Sequence, residues 1–300
     1  MAQFGFGIRV FPSKGGSVYD EKNYDIILKK CDNLGVDVIT HLITPDMATK
    51  VQDFAVKAYN MGMPSWLTCG KPREVLNQDQ WNKIAAKLDG KLEGKVELLC
   101  GWNEPNHQRN PSDPPLDDWA NRAVKHNEGI MKIAKPRDIP VGTPQLWSGD
   151  INKQYDDLEK LVNAGLKKGE NYDVIVWHLY MRGGVDPAML DKQENKFRSI
   201  LNDDDSPIVC TESGFFTADN YSGGSNPVTE EEQAKFLPQL VQEYHERGWG
   251  LGIFELLDDP DPDNNDRESN FGIIRVESTD SSTWTHKPAF GKTKEKLASF

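Results

Sequence analysis

Short apolar runs alternate with longer stretches of helical periodicity along this chain. The runs at 4–10, 36–43, 64–69, 96–104, 139–143, 174–180, 208–212 and 251–257 are apolar and bounded by turn residues, as buried strands are. Between them, apolar side chains recur three and four residues apart. Tyr24, Ile27, Cys31 and Leu34 share one helical face that stops at Gly35, and Val51, Phe54, Ala55 and Ala58 share another that stops at Gly62. Thr44-Pro45 reads as an N-cap with proline at the first helical position. Trp81, Ile84, Ala85 and Leu88 repeat the pattern, as do Ala120, Val124, Met131 and Ala134. Leu158, Leu161 and Val162 mark the next helix, and Leu190, Phe197 and Leu201 the one after it. Thr229 with Glu232 forms a capping box ahead of Phe236, Leu240, Val241 and Tyr244, despite Pro238. A last helix spans about 288–300.

Strands that alternate with helices pair in parallel, because each crossover returns the chain to the same end of the sheet. Eight such units in 300 residues match an α/β (β/α)8 barrel, read as a single catalytic domain over 1–300. No repeat, low-complexity tract or linker divides the chain. A doubly wound open sheet is the rival. It usually carries a glycine-rich phosphate turn after the first strand. Here that strand ends in Arg9-Val10-Phe11-Pro12, and Gly15-Gly16 lack the rest of the fingerprint.

In such a barrel the carboxyl ends of the strands carry the chemistry. Those ends supply Arg9, His41, Trp66, Glu104, Gln145, His178, Tyr180, Glu212 and Glu255, polar and aromatic residues closing apolar strands. Two glutamates stand out. Glu104 follows Asn103 and precedes Pro105, whose missing amide hydrogen ends the strand. Glu212 closes the run Pro207-Ile208-Val209-Cys210-Thr211. An unpaired buried glutamate is costly, so a purely structural role is the weaker reading. Two carboxylates facing one pocket are the equipment of glycoside hydrolysis. His178 and Tyr180 also have readings as core residues, and Arg9 one as a structural ion-pair partner.

The composition adds exclusions. Thirty-five basic against 47 acidic residues leave a net charge of −12, which argues against nucleic acid and anionic membrane surfaces and suits a neutral or cationic ligand. No apolar run approaches the ~20 residues that span a bilayer. Cys31, Cys69, Cys100 and Cys210 contain no C-x-x-C pair and read as buried free thiols. No metal or cofactor is expected. The Asp-rich run 258–266 lacks the glycine and glutamate of an EF-hand and reads as a solvated loop beside the cleft. No signal peptide precedes the first strand, although a leader removed before Met1 would leave the same sequence.

Asn103-Glu104-Pro105 on the fourth strand and Thr211-Glu212-Ser213-Gly214 on the seventh resemble clan A glycoside hydrolases, a group of retaining (β/α)8 enzymes. Trp177-His178-Leu179-Tyr180 on the sixth strand resembles compact members, the family 39-like enzymes and the short β-1,3-glucanases of family 128. The resemblance implies Glu104 as general acid/base, Glu212 as nucleophile and Asn103 as donor to the sugar 2-hydroxyl. Crowding by Trp102 and repulsion from Glu212 would keep Glu104 protonated, while Tyr180 or Arg9 would keep Glu212 ionised. Many clan members end the eighth strand with Trp, and this chain has Phe254-Glu255 there. Trp66, Trp102, Trp147, Phe215 and Phe216 are candidate sugar platforms beside Phe254, each with a core reading as well; Trp81 and Trp119 read as core.

The expected function is therefore retaining hydrolysis of a β-linked neutral oligo- or polysaccharide, in the direction of an endo-β-1,3-glucanase. A transglycosylase on the same site and a catalytically silent carbohydrate-binding barrel are the alternatives. An aldolase would want a strand-end lysine and a metal hydrolase clustered His and carboxylates, and neither pattern is present. A monomer is expected, and secretion with the leader removed is favoured over a cytoplasmic place.

Overall fold

A computed structural model describes residues 4–12, 18–70, 74–107, 118–147, 149–217, 227–260 and 268–300. Seven of the eight apolar runs form one parallel sheet: β1 (Phe6–Arg9), β2 (Val38–Ile43), β3 (Ser65–Cys69), β4 (Val96–Cys100), β5 (Ile175–His178), β6 (Ile208–Ser213) and β7 (Gly250–Ile253). Their order is β4-β3-β2-β1-β7-β6-β5, so the two ends of the sheet are β4 and β5. The run at 139–143 fills that gap with isolated parallel bridges, Leu99 to Val141 and Gly142 to Val174. Pro140 and Pro144 have no amide hydrogens to donate, which keeps this eighth stave from becoming a full strand. The sheet thus closes into a (β/α)8 barrel.

The outer layer holds α1 (Tyr24–Leu34), α2 (Thr49–Asn60), α3 (Gln78–Leu88), α4 (Trp119–Ala134), α5 (Ile151–Asn163), α6 (Pro187–Leu201), α7 (Glu230–Arg247) and α8 (Pro288–Leu297). Gly35 caps α1 in the left-handed region at φ 86°. Thr229 and Glu232 complete the capping box of α7, which accommodates Pro238. The second helix starts later than its sequence signal. Pro45 opens a turn closed by Met47 N to Thr44 O at 3.1 Å, and α2 begins at Thr49 behind Ala48. Met47 is buried with Ile43 and Val51, so the turn fills core.

The barrel interior has two tiers. The lower one is apolar: Phe4, Val38, Trp66, Leu98, Val174, Val176 and Val209 pack together. The upper one is polar, with Thr68, Gln145, His178 and Thr211 hydrogen-bonded across the axis. After β7 the chain adds a short antiparallel pair, β8 (Ile274–Arg275) and β9 (Thr285–His286). Buried Lys287 then ties this excursion down, with Nζ 2.8 Å from Asp258 Oδ2 and 2.8 Å from Thr217 Oγ1. Most of the Asp-rich run, from 261 on, lies outside the described residues. All four cysteines are buried and free. Among the described residues no helix is long and apolar enough to cross a membrane.

Candidate active site

β4 ends at Cys100, and the next residues lean on the eighth stave. Gln145 N donates to Trp102 O at 3.0 Å, and Glu104 N donates to Gln145 O at 2.7 Å. Glu104 itself has a left-handed backbone at φ 47°. A non-glycine residue pays about 1–3 kcal/mol for such a conformation, and it persists where surrounding contacts over-determine it. Here the Gln145 hydrogen bond and Pro105, which disfavours right-handed helical geometry before it, hold the residue in place. β6 delivers Glu212 from the other side of the mouth.

His178, at the end of β5, stands between them. Its Nδ1 lies 3.1 Å from Glu104 Oε1 and 3.5 Å from Glu212 Oε2. Tyr180 donates its hydroxyl to Glu212 Oε2 at 3.2 Å. Arg9 Nε is 3.9 Å from Glu212 Oε1. The facing donor atoms of Glu104, His178 and Glu212 all lie within 4.8 Å of one another. The two carboxylates keep small openings to solvent, at 10% and 8% of side-chain area, where a substrate can enter. This brings a histidine and two carboxylates together, a cluster the sequence reading did not expect, with its three atoms close enough to share a small cation.

The other expected residues divide. Asn103 is next to Glu104, buried and bridged to Gln145. Phe254 joins Phe216 and Phe271 in an aromatic wall that packs against Tyr180 and Phe11. Its ring centroid is 6.1 Å from that of Tyr180 and 5.2 Å from that of Phe271. Phe11, just past the end of β1, and Phe271, in the excursion after β7, were not among the expected platforms, and only the tertiary structure brings them to this wall. Glu255 is buried just beyond Phe254. Trp147 is half-buried and stacks on His107 at 4.5 Å and 13°. Asn106 clamps this pair near Glu104: it accepts from Trp147 N at 2.8 Å and donates to Asp157 Oδ2 at 2.9 Å.

Four residues are not at the mouth. Trp66 is the second residue of β3, not its end, and its ring meets Phe4 edge-on at 6.0 Å in the lower tier. Trp102 is fully buried under α4, 4.8 Å from the His126 ring, and its indole donates to Glu74 O at 3.1 Å. Phe215 faces outward onto Phe236 of α7 at 5.4 Å, because successive residues of an extended segment face opposite sides. His41 also faces outward, edge-on to Phe54 at 6.4 Å, and burial pushes its pKa down to about 3. Gln145 is the central polar residue that the sequence placed only at a strand end; its links to four other staves come from closure of the barrel.

A closed ring of alternating strands and helices, with two glutamates facing each other at the carboxyl ends of the strands, defines the class: a (β/α)8 barrel with its polar site at the usual end. No protein-family model matches the sequence, and no curated protein does. Solved structures share the fold. The GH1 β-glucosidase from Exiguobacterium antarcticum B7 matches with a TM-score of 0.69 and 14% identity, over 100% of this chain and 99% of that one. The hyperthermophilic β-glucosidase from Pyrococcus furiosus matches with 0.68 and 13%, over 99% and 95%. An active-site mutant of the Rhizomucor miehei β-1,3-glucanosyltransferase, in complex with laminaritriose, matches with 0.61 and 16%, over 92% and 95%.

Proposed function

We propose that this protein is a clan A-like retaining glycoside hydrolase acting on a β-linked neutral glycan by double displacement. The observation that carries the reading is the approach of the two carboxylates, whose facing oxygens lie within 4.8 Å. Retaining enzymes hold the two groups ~5–5.5 Å apart, whereas inverting ones leave ~6.5–9.5 Å for a water. Glu212 is the nucleophile. The Tyr180 hydroxyl donates to it and the Arg9 guanidinium faces it. Glu104 is the general acid in the first step and the general base in the second. Asn103 donates to the 2-hydroxyl, a contact that strengthens in the transition state. The wall of Phe254, Phe216 and Phe271 supports the sugar being cleaved, and Trp147 on its His107 support receives the leaving-group side.

Within this class we favour an endo-β-1,3-glucanase. Its support is the fold shared with a β-1,3-glucanosyltransferase complexed with laminaritriose. That likeness also supports transglycosylation on the same pair of glutamates. Release of reducing ends from laminarin measures hydrolysis, and growth of labelled laminari-oligosaccharides measures transfer. Proton NMR of the first-formed hemiacetal, taken before mutarotation, tests the mechanism. The β anomer is expected from a β-glycoside. An initial α anomer would overturn both the retaining reading and the role of Glu212.

A further inference from the structure

We propose that Gln145 is a positioning residue that sets which nitrogen of His178 carries the proton, and thereby keeps a proton on Glu104. The inference rests on the glycosidase reading for its kinetic consequence, but not for its physical content. Gln145 is fully buried in the polar tier. Its Nε2 donates to Gly101 O at 2.9 Å and to Thr68 Oγ1 at 3.1 Å. A backbone carbonyl can only accept, so this contact fixes the orientation of the amide. Oε1 must then face the other way, where it accepts from Thr211 Oγ1 at 2.8 Å and lies 3.3 Å from His178 Nε2.

An amide oxygen can only accept as well. Nε2 of His178 therefore carries a hydrogen, and in the neutral ring Nδ1 is an acceptor. That acceptor lies 3.1 Å from Glu104 Oε1 and 3.5 Å from Glu212 Oε2. Two bare carboxylates against a lone pair would be repulsive on all sides. The proposal puts one extra proton on Glu104, at the shorter contact, where its carboxylic acid donates to Nδ1 and the ring stays neutral. A hydrogen bond that needs the neutral acid disfavours its ionisation. Glu212, Arg9 and Tyr180 share this face with Glu104. Tyr180 and Arg9 both turn to Glu212, so the proton and the charge are kept apart on the two glutamates.

The test is the tautomer of His178 and the effect of changing it. Histidine-selective nitrogen-15 NMR at neutral pH, with the His178 signals identified by their loss in His178→Gln, should show Nε2 protonated and Nδ1 bare. In Gln145→Met the acceptor is gone, and the ring should populate the Nδ1–H form, which donates to an ionised Glu104. The alkaline limb of kcat/KM for an alkyl β-glycoside should then fall by about one pH unit, the worth of one such hydrogen bond. In Gln145→Glu the buried carboxyl must stay protonated to donate to Gly101 O, as the amide does; its carbonyl oxygen still accepts from Nε2, and the wild-type tautomer and limb should both be retained. A wild-type ring in the Nδ1–H or imidazolium form overturns the proposal, as does a folded Gln145→Met variant with an unmoved limb. If Gln145→Met fails to fold, the wild-type tautomer and the Gln145→Glu profile still decide. The tautomer is read without substrate, so failure of the glycosidase reading shows separately, as absent hydrolysis with Nε2 protonated.

Discussion

The two glutamates differ in what surrounds them, and their substitutions should differ accordingly. Glu212 accepts from Tyr180 and faces Arg9, so its removal takes away the proposed nucleophile and leaves its donors in place. Glu212→Ala is expected to lose at least about a thousandfold in kcat while the protein stays folded, as a cooperative melt would show. Azide in the vacated space should restore part of the turnover of an activated aryl β-glycoside and yield the α-glycosyl azide. Wild-type turnover in the variant would sink the nucleophile assignment. Glu104 contacts His178 instead, and its proposed part is to supply a proton. Glu104→Gln should cost kcat/KM about a hundred- to ten-thousandfold for alkyl leaving groups and far less for dinitrophenyl ones, which need little protonation. Equal losses along a leaving-group series would count against the acid role.

β6 and β7 approach each other closely enough that only glycine fits between them. A Cβ on Gly252 would lie 2.4 Å from Thr211 O, and one on Gly214 would lie 2.1 Å from Phe254 O. This spacing brings Glu212 and Phe254 to one mouth. Gly252→Ala must push β7 off β6, at a cost of about 1–3 kcal/mol in stability. The shift should also lower kcat, since a displacement of about 1 Å can cost on the order of a hundredfold. Gly291 offers the contrast. It lies inside α8, and the methyl of an alanine there would meet nothing within 4 Å. Gly291→Ala should raise stability by about 0.5–1 kcal/mol and leave turnover unchanged. Thermal melts and kcat on both variants check the pair, and a harmless Gly252→Ala would refute the close-approach argument.

For the molecule as a whole, two buried histidines outside the site set a pH limit. Burial lowers His41 to about 3 and His126 to about 4, so both stay neutral in the fold. The unfolded chain protonates them near 6.5 and binds more protons below that value. Their contribution to stability is therefore present above pH ~6.5 and is lost as pH falls toward the folded values, at up to about 1.4 kcal/mol per group per pH unit. Asp258 acts oppositely. Burial raises it to about 6, against the pull of Lys287, so it favours the fold on the acid side of that value. Two groups outweigh one. The melting temperature should fall from pH 7 to 4.5, and His41→Gln with His126→Gln should flatten that slope. A melting temperature that holds constant or rises on acidification would contradict the account.

The barrel was legible along the chain because strand and helix periods are local, and Gly35, Pro105 and the Thr229–Glu232 pair mark boundaries by backbone chemistry alone. Glu104 and Glu212 were legible for a related reason: a carboxylate at the end of an apolar strand contradicts its surroundings. The face each side chain takes was not legible. Trp66 and Trp102 look like Trp147 in composition, yet the first plugs the barrel floor and the second lies under α4. The start of α2 moved because Met47 gains core contacts that a cap signal cannot report. Nor could spacing in sequence show that Gln145 reaches Gly101, Thr211 and His178 at once. Those contacts join residues between 33 and 66 positions apart. They exist only once the sheet closes on itself, when burial obliges every polar group in the upper tier to find a partner.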